Sequence, residues 1–188
     1  SFSAGLGIAQ GRDLLGEDYA VISVIGDGAL TGGMAYEALN NAAHLKKNFI
    51  IVLNDNNMSI SENVGGMSKY LSGLRSGVGY NELKRQVSES LLKIPVVGAG
   101  QVEKISRTKD SIKQLVIPGM LFENMGVTYL GPVDGHDIKT MVKTFKEARR
   151  MDHAVLVHVL TKKGKGYAPA EKNPSRFHGI DPFDIATG

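Results

Sequence analysis

The sequence predicts an α/β fold, in which a mostly parallel sheet carries helices on both faces. Two observations support this class. Short runs rich in Val and Ile, of a length suited to strands, alternate with longer runs at helical spacing. The short runs also end in glycine-rich or polar segments, as strands do where ligands bind in open parallel sheets.

Composition bounds the possible functions. Of the 188 residues, 42% are hydrophobic and 22% are charged, which is enough for the core of a single domain over residues 1–188. The net charge of +3 is too small to argue for nucleic acid, and there is no long apolar run, so we expect no membrane partner. The absence of cysteine excludes disulfides and thiolate metal sites and suits a cytoplasmic location.

The first predicted element is a helix. Small and apolar residues alternate over residues 1–11, which suits a helix packed closely against a sheet. No strand precedes this helix in the sequence, so we expect the chain to begin inside a domain.

A strand, a tight turn and a helix are predicted next. The strand spans residues 21–25, and the helix runs from Met34 to His44. Glycines in the turn let the backbone approach a ligand, and a helix N-terminus offers free N–H groups to a phosphate. Asp27 lies between two of these glycines, where its carboxylate would repel a phosphate. The arrangement makes chemical sense if a divalent cation lies between the two groups.

A second predicted strand, Phe49 to Leu53, leads directly into Asn54-Asp55-Asn56-Asn57-Met58. In a parallel sheet its carboxyl end would lie beside Asp27, and the spacing suits a helix and a returning strand. Mg²⁺ prefers oxygen ligands and keeps room for phosphate oxygens, so Asp27, Asn56 and one backbone carbonyl form a plausible donor set. Each motif alone is also a common polar turn, and only their combination favours a metal site.

The alternation of strand-like and helix-like runs stops over residues 65–118. This stretch is predicted to form a helical, mobile insert that can act as an active-site lid. Two helices are expected within it, Glu82 to Lys93 and Val102 to Leu115. Acidic residues lie among its basic ones, so a solvated amphipathic surface is favoured over a phosphate-binding patch.

The α/β rhythm then returns. We predict a strand over residues 127–130, a turn over residues 131–135 and a helix over residues 138–150 with Asp137 as its N-cap. His136 lies between the turn and the cap, where a structural role is favoured over a general base.

The final core strand is predicted over residues 155–160, with His158 as a hydrogen-bonded core residue. The basic, glycine-rich loop that follows, from Lys162 to Tyr167, lies at the carboxyl end of this strand. The residues alone leave a phosphate clamp and a flexible loop equally open. His178, in the aromatic tail, reads as an ordinary loop histidine.

These motifs resemble a known family. Gly26-Asp27-Gly28 followed by Asn54-Asp55-Asn56 resembles the thiamine-diphosphate fingerprint of transketolase-like enzymes. The amino-acid sequences of longer stretches are similar to those of 1-deoxy-D-xylulose-5-phosphate synthases in particular. These stretches are residues 25–31, 37–41, 53–64, 131–137 and 161–171. The resemblance covers essentially the whole chain and implies an N-terminal diphosphate-binding fragment, truncated at both ends.

The resemblance implies a function. Family members use thiamine diphosphate and Mg²⁺ to condense pyruvate with glyceraldehyde 3-phosphate, giving 1-deoxy-D-xylulose 5-phosphate for isoprenoid, thiamine and pyridoxal synthesis. This chain would supply the diphosphate half of the site, while the carboxylate that activates the cofactor lies on a second domain. We expect the intact enzyme to be a homodimer and this fragment to be inactive alone.

The resemblance also assigns residues to roles. Asp27, Asn56 and the backbone carbonyl of Met58 are expected to bind Mg²⁺. The N–H groups of Gly28 and Ala29 are expected to hold the diphosphate. Cofactor contacts are expected from Asn56 and Tyr167, and His178 becomes a catalytic candidate for proton transfer or substrate contact.

The sequence argues against two other functional classes and leaves a third open. A dinucleotide fingerprint would need a third glycine where Thr31 stands, and an acidic residue near Lys46-Lys47-Asn48 that is absent. No phosphate-binding loop of the nucleoside-triphosphatase type is present. A non-catalytic binding or regulatory domain that keeps the fold stays open as the alternative, although retention of Asp27 and Asn56 argues against it.

Overall fold

The structure is a computed structural model that describes residues 1–45, 48–59, 62–76 and 120–188. In these residues one parallel sheet has the strand order β1-β2-β4-β3. The strands are β1 (Ile22–Gly26), β2 (Phe49–Asp55), β3 (Thr128–Asp134) and β4 (Ala154–Leu160). The last strand in sequence therefore lies inside the sheet, between β2 and β3.

Helices cover both faces of the sheet, as predicted. The described helices are α1 (Phe2–Leu15), α2 (Gly33–Ala42), α3 (Gly66–Ser76), α4 (Met120–Asn124), α5 (Ile138–Arg149) and α6 (Ala168–Lys172). Helices α1 to α4 pack on the face that presents Phe49, Ile51 and Leu156. Helix α5 packs on the other face, against Ile50, Val155 and Val157. Alternate residues of β2 and β4 thus enter two separate cores, which is the pattern of a doubly covered sheet.

Helix α1 lies close to the sheet because Gly5 has no side chain. A Cβ on Gly5 would lie 2.2 Å from Ser23 Oγ and 2.9 Å from a ring carbon of Phe49. The helix ends at Gly16, whose φ of 68° is in the left-handed region that favours glycine at a helix C-terminus. The prediction of a closely packed first helix is confirmed.

Strand β1 is less buried than its Val- and Ile-rich sequence predicts. It lies at the edge of the sheet, and Ile22 and Val24 are 51% and 59% exposed, whereas Ser23 between them is 5% exposed. Ser23 faces α1. The opposite face of β1 has no comparable cover among the described residues.

Strand β3 is longer than predicted, and the expected turn over residues 131–135 is wrong. The strand continues through Gly131 and Pro132 to Asp134, with a shift of register between Leu130 and Val133. A proline cannot donate a hydrogen bond to the sheet, but β3 is an edge strand, where proline is tolerated. Gly131 is required for a separate reason, since its φ is 134° and a Cβ there would lie 2.6 Å from the backbone oxygen of His158.

Part of the predicted insert belongs to the core. Helix α3 begins at Gly66, where no helix was predicted, and its Leu71 and Leu74 are only 1% and 2% exposed. The predicted helices over residues 82–93 and 102–115 lie outside the described residues. None of the helices in the described ranges is long and apolar enough to cross a membrane.

Candidate functional site

The carboxyl ends of three neighbouring strands are tied together at one edge of the sheet. The backbone N–H of Asp27 donates to the Asn54 carbonyl at 3.2 Å, which joins the ends of β1 and β2. Thr161 joins β4 to β2, because its N–H donates to the Asp55 carbonyl at 2.9 Å and its hydroxyl to Asn54 Oδ1 at 2.7 Å. The structure thus brings the two predicted motifs to one place, as parallel pairing requires.

Asp27 is a buried carboxyl group at this edge, only 2% exposed. Asn63 Nδ2 donates a hydrogen bond to Asp27 Oδ2 at 2.8 Å. Burial raises the pKa of Asp27 to about 6, and the hydrogen bond and charge of Asp55 add to this rise, whereas the N–H groups of Gly28 and Asn57 oppose it. Among the described residues, none of the ion pairs within 4.0 Å involves Asp27.

The pKa of the adjacent Asp55 carboxyl group is shifted in the opposite direction, downwards. Arg75 Nη1 lies 2.6 Å from Asp55 Oδ1 and 2.8 Å from Oδ2, and His158 Nε2 lies 2.9 Å from Oδ2. Burial raises the pKa of Asp55, but the hydrogen bonds from His158, Arg75 and Asp27 outweigh it and lower the pKa to about 2. Asp55 is therefore a fixed negative charge that Arg75 compensates, whereas no such cation faces Asp27 among the residues that the structure describes.

The loop after β2 carries the predicted donors Asn56 and Met58. Asn56 Oδ1 accepts a hydrogen bond from the Met58 N–H at 3.0 Å, which curls the loop tightly. Between them, Asn57 has a φ of 63°, a left-handed conformation that asparagine tolerates better than most residues. Asp27 interacts with both Asp55 and the N–H of Asn57, so it faces this loop.

The donor chemistry of this edge suits a hard cation. No group of three or more His, Cys, Asp or Glu side chains arranged to hold a metal occurs in the described part of the chain. The predicted set contains one carboxylate, one amide oxygen and one backbone carbonyl, all of them oxygen donors. Mg²⁺ is commonly held by one or two carboxylates and completed by phosphate oxygens and water, so the residues present fit it.

Gly28 lies in close contact with the loop that follows β2. A Cβ on Gly28 would lie 2.9 Å from Ser59 Cβ and 3.0 Å from Asn63 Oδ1. The turn continues as a three-residue 3₁₀ helix over Ala29–Thr31 before α2 begins. The N–H groups of Gly28 and Ala29 therefore belong to this short turn. The sequence pattern predicted them at the N-terminus of α2, and that placement is wrong.

His178 is brought to the same edge from the tail of the chain. Lys163 Nζ lies 2.7 Å from the Ser59 carbonyl and 2.8 Å from His178 Nδ1, so one lysine links the loop after β2, the loop after β4 and the tail. His136 accepts a hydrogen bond from the Lys162 N–H through Nε2 at 2.9 Å, and its own N–H donates to Asp134 Oδ1 at 2.8 Å. His136 thus holds two loops together, in agreement with its predicted structural role.

Tyr167 lies apart from these contacts. Its ring packs against Phe177 and Phe183, with centroids 5.7 and 6.0 Å away, and its hydroxyl donates to the Ile185 carbonyl at 2.8 Å. In this structure Tyr167 organises the tail, and its cofactor contact stays a prediction.

Sequence reasoning missed two polar residues of the site, Asn63 and Arg75. Asn63 is held to Asp27 across the edge of the sheet, and Arg75 reaches Asp55 from α3. Asn63 lies in a stretch already noted for its resemblance, which was a usable signal. Arg75 gave none, because α3 itself was not predicted. His158, by contrast, is 0% exposed and hydrogen-bonded on both ring nitrogens, as predicted.

Comparison with known proteins agrees with the resemblance noted in the sequence. Residues 1–161 match the family described as 1-deoxy-D-xylulose-5-phosphate synthase. Curated proteins of that name match all 188 residues, at 58% identity in Lachnoclostridium phytofermentans and 59% in Desulforudis audaxviator. The chain spans 30% of the length of both relatives.

A solved structure supports the fold. Transketolase from Campylobacter jejuni aligns with 93% of this chain and 21% of its own chain, at a TM-score of 0.54 and 24% identity. At this level of identity the likeness concerns the α/β architecture alone.

Proposed function

The chain belongs to the 1-deoxy-D-xylulose-5-phosphate synthase family, and on this basis we propose that it supplies the diphosphate- and Mg²⁺-binding half of a thiamine-diphosphate enzyme. The whole protein condenses pyruvate with glyceraldehyde 3-phosphate, releases carbon dioxide and forms 1-deoxy-D-xylulose 5-phosphate, a precursor of isoprenoids. It works as a cytoplasmic homodimer. Residues 1–188 act as one diphosphate-binding domain, with residues 65–118 as an insert in it.

The observation that carries this proposal is the buried Asp27 carboxyl group, which has no ion-pair partner in the described part of the chain. A buried carboxylate is costly unless it is paired, and Asp27 is 2% exposed next to the negative Asp55. A divalent cation bound at Asp27 would supply the missing positive charge. Asn56 can contribute its amide oxygen to the same ion, because that oxygen has a second lone pair beside the one that accepts the Met58 N–H.

The backbone of the turn holds the diphosphate. Gly28 and Ala29 begin a 3₁₀ turn, so their N–H groups precede its first hydrogen bond, which runs from the Thr31 N–H to the Gly28 carbonyl. N–H groups at a helical start are suited to binding phosphate oxygens, and the Gly28 N–H interacts with the Asp27 carboxyl group as well. When bound, thiamine diphosphate supplies the electron sink that decarboxylation of a 2-oxo acid requires.

His178 is the residue of this chain proposed to hold or move a proton. The Lys163 ammonium only donates, so His178 Nδ1 accepts from it, and a neutral His178 carries its proton on Nε2. That N–H is then available to a substrate. We propose that Tyr167 completes the cofactor site from the aromatic tail.

The test is calorimetric titration of thiamine diphosphate into the full-length protein, first with Mg²⁺ and then with EDTA. We expect binding that requires Mg²⁺, its loss in Asp27→Ala, and its retention in the control Asp152→Ala, whose side chain is 95% exposed at the other end of the sheet. Unchanged affinity in Asp27→Ala would show that the metal site is misassigned.

The reaction is tested separately by following product formation from pyruvate and glyceraldehyde 3-phosphate. We expect His178→Gln to lower kcat by about 100-fold or more while the calorimetric affinity for the cofactor stays the same, as for loss of an acid–base group. An unchanged kcat would remove His178 from the mechanism.

A further inference from the structure

A chain of four hydrogen-bonded polar side chains, three of them buried, lies beside the proposed metal site without being part of it. Arg75 contacts both oxygens of Asp55, Asp55 Oδ2 accepts from His158 Nε2 at 2.9 Å, and His158 Nδ1 lies 2.7 Å from Tyr129 Oη. Arg75, Asp55, His158 and Tyr129 are called the Asp55 network here. Because the ionised Asp55 carboxylate can only accept, His158 donates from Nε2 and accepts the Tyr129 hydroxyl at Nδ1.

The Asp55 network joins helix α3 to three of the four described strands. Its members come from α3, β2, β4 and β3, and three of them, Asp55, His158 and Tyr129, are at most 1% exposed. Buried charged groups of this kind contribute little net stability compared with apolar residues of the same volume, because their desolvation offsets their attraction. Stability of the core is therefore a weak reason for this arrangement.

The network ends on the loop that carries the proposed metal donors. Asp55 Oδ1 accepts the Asn57 N–H at 3.1 Å, and Arg75 Nη2 donates to Asn57 Oδ1 at 2.7 Å. Both contacts hold Asn57 in its left-handed conformation, at φ 63°. That conformation sets the direction of the chain between Asn56 and Met58.

We propose that the Asp55 network positions the metal-binding loop, and that Arg75 and His158 are positioning residues that act on Asn56 and Met58 through Asp55 and Asn57. Neither residue touches the ion or the cofactor. Arg75 is the key member, since one guanidinium holds both the fixed carboxylate of β2 and the side chain at the tip of the loop. This inference rests on the proposed function, because it presumes a metal at Asp27.

The experiment measures Mn²⁺ affinity by electron paramagnetic resonance in the full-length protein with thiamine diphosphate present. Mn²⁺ stands in for Mg²⁺. We expect Arg75→Met to weaken Mn²⁺ binding by about 10- to 100-fold, the usual effect of removing a residue that orients metal ligands. Arg75→Lys should recover part of the affinity, because it returns the charge beside Asp55 but cannot also reach Asn57.

A matched control separates positioning from stability. Arg12 is a buried arginine, 5% exposed against 20% for the Arg75 side chain, and it donates to the carbonyls of Tyr19 and Asn48 at the opposite end of the sheet. Arg12→Met should lower the unfolding midpoint as Arg75→Met does, yet leave Mn²⁺ affinity unchanged. Should Arg75→Met fail to fold, Asn57→Ala provides the same test from the loop side, with an expected loss of about tenfold.

The outcomes distinguish the two proposals. If the parent protein binds Mn²⁺ and the folded Arg75→Met or Asn57→Ala variant binds it equally well, the positioning role is wrong and the metal site stands. If Arg12→Met loses affinity as much as Arg75→Met, the effect is one of stability and the positioning role is also wrong. If the parent binds no Mn²⁺ with thiamine diphosphate, both proposals fail.

Discussion

Asn63 Nδ2 donates a hydrogen bond of 2.8 Å to Asp27 Oδ2, across 36 residues of sequence. This contact links the turn after β1 to the segment that precedes α3. The Asn63 amide gives Asp27 a hydrogen-bond donor, since none of the described cations is paired with Asp27. A neutral donor still allows the carboxylate to ionise when a metal binds.

Removal of this donor should weaken the site. In Asn63→Ala the buried Asp27 carboxylate loses its side-chain hydrogen bond, which makes the charged form less favourable. We expect Mg²⁺-dependent affinity for thiamine diphosphate to fall by about tenfold in calorimetry, the lower end of effects seen for residues that orient metal ligands. Asn41→Ala is the control, because Asn41 only bonds the exposed Glu37 carbonyl within α2, and an equal loss there would contradict the prediction.

The raised pKa of Asp27 gives a pH-dependent stability in the metal-free protein. The pKa rises from 3.8 to about 6 on folding, so the stability tied to its protonated form is present below pH 3.8 and is lost as the pH rises through about 6. With EDTA at pH 8, Asp27→Asn should therefore be more stable than the parent, by about 1 to 3 kcal/mol.

Denaturant unfolding of both proteins from pH 4 to pH 8 measures this difference. It should shrink as the pH falls towards 4 and vanish or reverse when Mg²⁺ and thiamine diphosphate are added. If the difference in unfolding free energy between the two proteins is the same at every pH, Asp27 does not titrate in this range.

Gly28 should tolerate no side chain. In Gly28→Ala the new methyl group meets Ser59 Cβ at 2.9 Å and Asn63 Oδ1 at 3.0 Å, so the loop that carries both must move. We expect cofactor affinity to fall by about tenfold or more, since the Asn63 to Asp27 contact is displaced with it.

The matched glycine is Gly33, the first residue of α2, where a Cβ would have no neighbour within 4 Å. Gly33→Ala should keep the affinity and raise the unfolding midpoint slightly, because alanine favours helix. Equal affinities in the two variants would show that the turn at Gly28 adapts.

Asp137 should contribute a pH-dependent N-cap to α5. Its side chain accepts from the N–H groups of Lys139 and Thr140 at 3.0 and 3.3 Å, and hydrogen bonds from the Thr140 side chain and backbone lower its pKa. The stabilisation is present above the pKa of the unfolded chain and is lost as the pH falls through the lower folded value.

Asp137→Ala should therefore lower the unfolding midpoint at pH 7 by about 2 to 4 °C, while Asp137→Asn, which still caps, should lower it less. The effect of the alanine variant should fade in acid. If the unfolding midpoint of Asp137→Ala falls equally at every pH, the charge of Asp137 does not contribute to the cap.

The parts of the structure that were predictable follow from local pattern and parallel topology. Asp27 and Asn56 were expected together because each follows a strand of one parallel sheet. The contacts of Asp27 with Asp55 and Asn57 show that Asp27 faces the loop after β2, while the shared metal site stays a prediction. His158 was predicted as a bonded core residue because a histidine on an apolar strand has to satisfy its nitrogens.

The parts that were missed have different causes. Helix α3 was missed because its glycines and serines indicate a loop, although Met67, Tyr70, Leu71 and Leu74 recur at helical spacing and pack in one core. Gly131-Pro132 has the sequence of a turn, and only its position on an edge strand allows β3 to run through it. The course of β3 cannot be read from the residues near it in the sequence, whereas the apolar spacing in α3 could have predicted a helix.

The strand order also determines how long the strands wait for their partners while the chain is being synthesised. β4 separates β2 from β3 in the sheet, but it is translated last, roughly 100 residues after β2, which at about 5 to 20 residues per second takes about 5 to 20 s. Throughout that interval one side of β2 lacks its hydrogen-bonding partner, whereas β3 lacks its partner only while the roughly 20 residues before β4 are made, about 1 to 4 s. The nascent chain thus exposes an apolar, half-built sheet for seconds, and its yield in cells should depend more on chaperones and translation speed than on the stability of the finished domain.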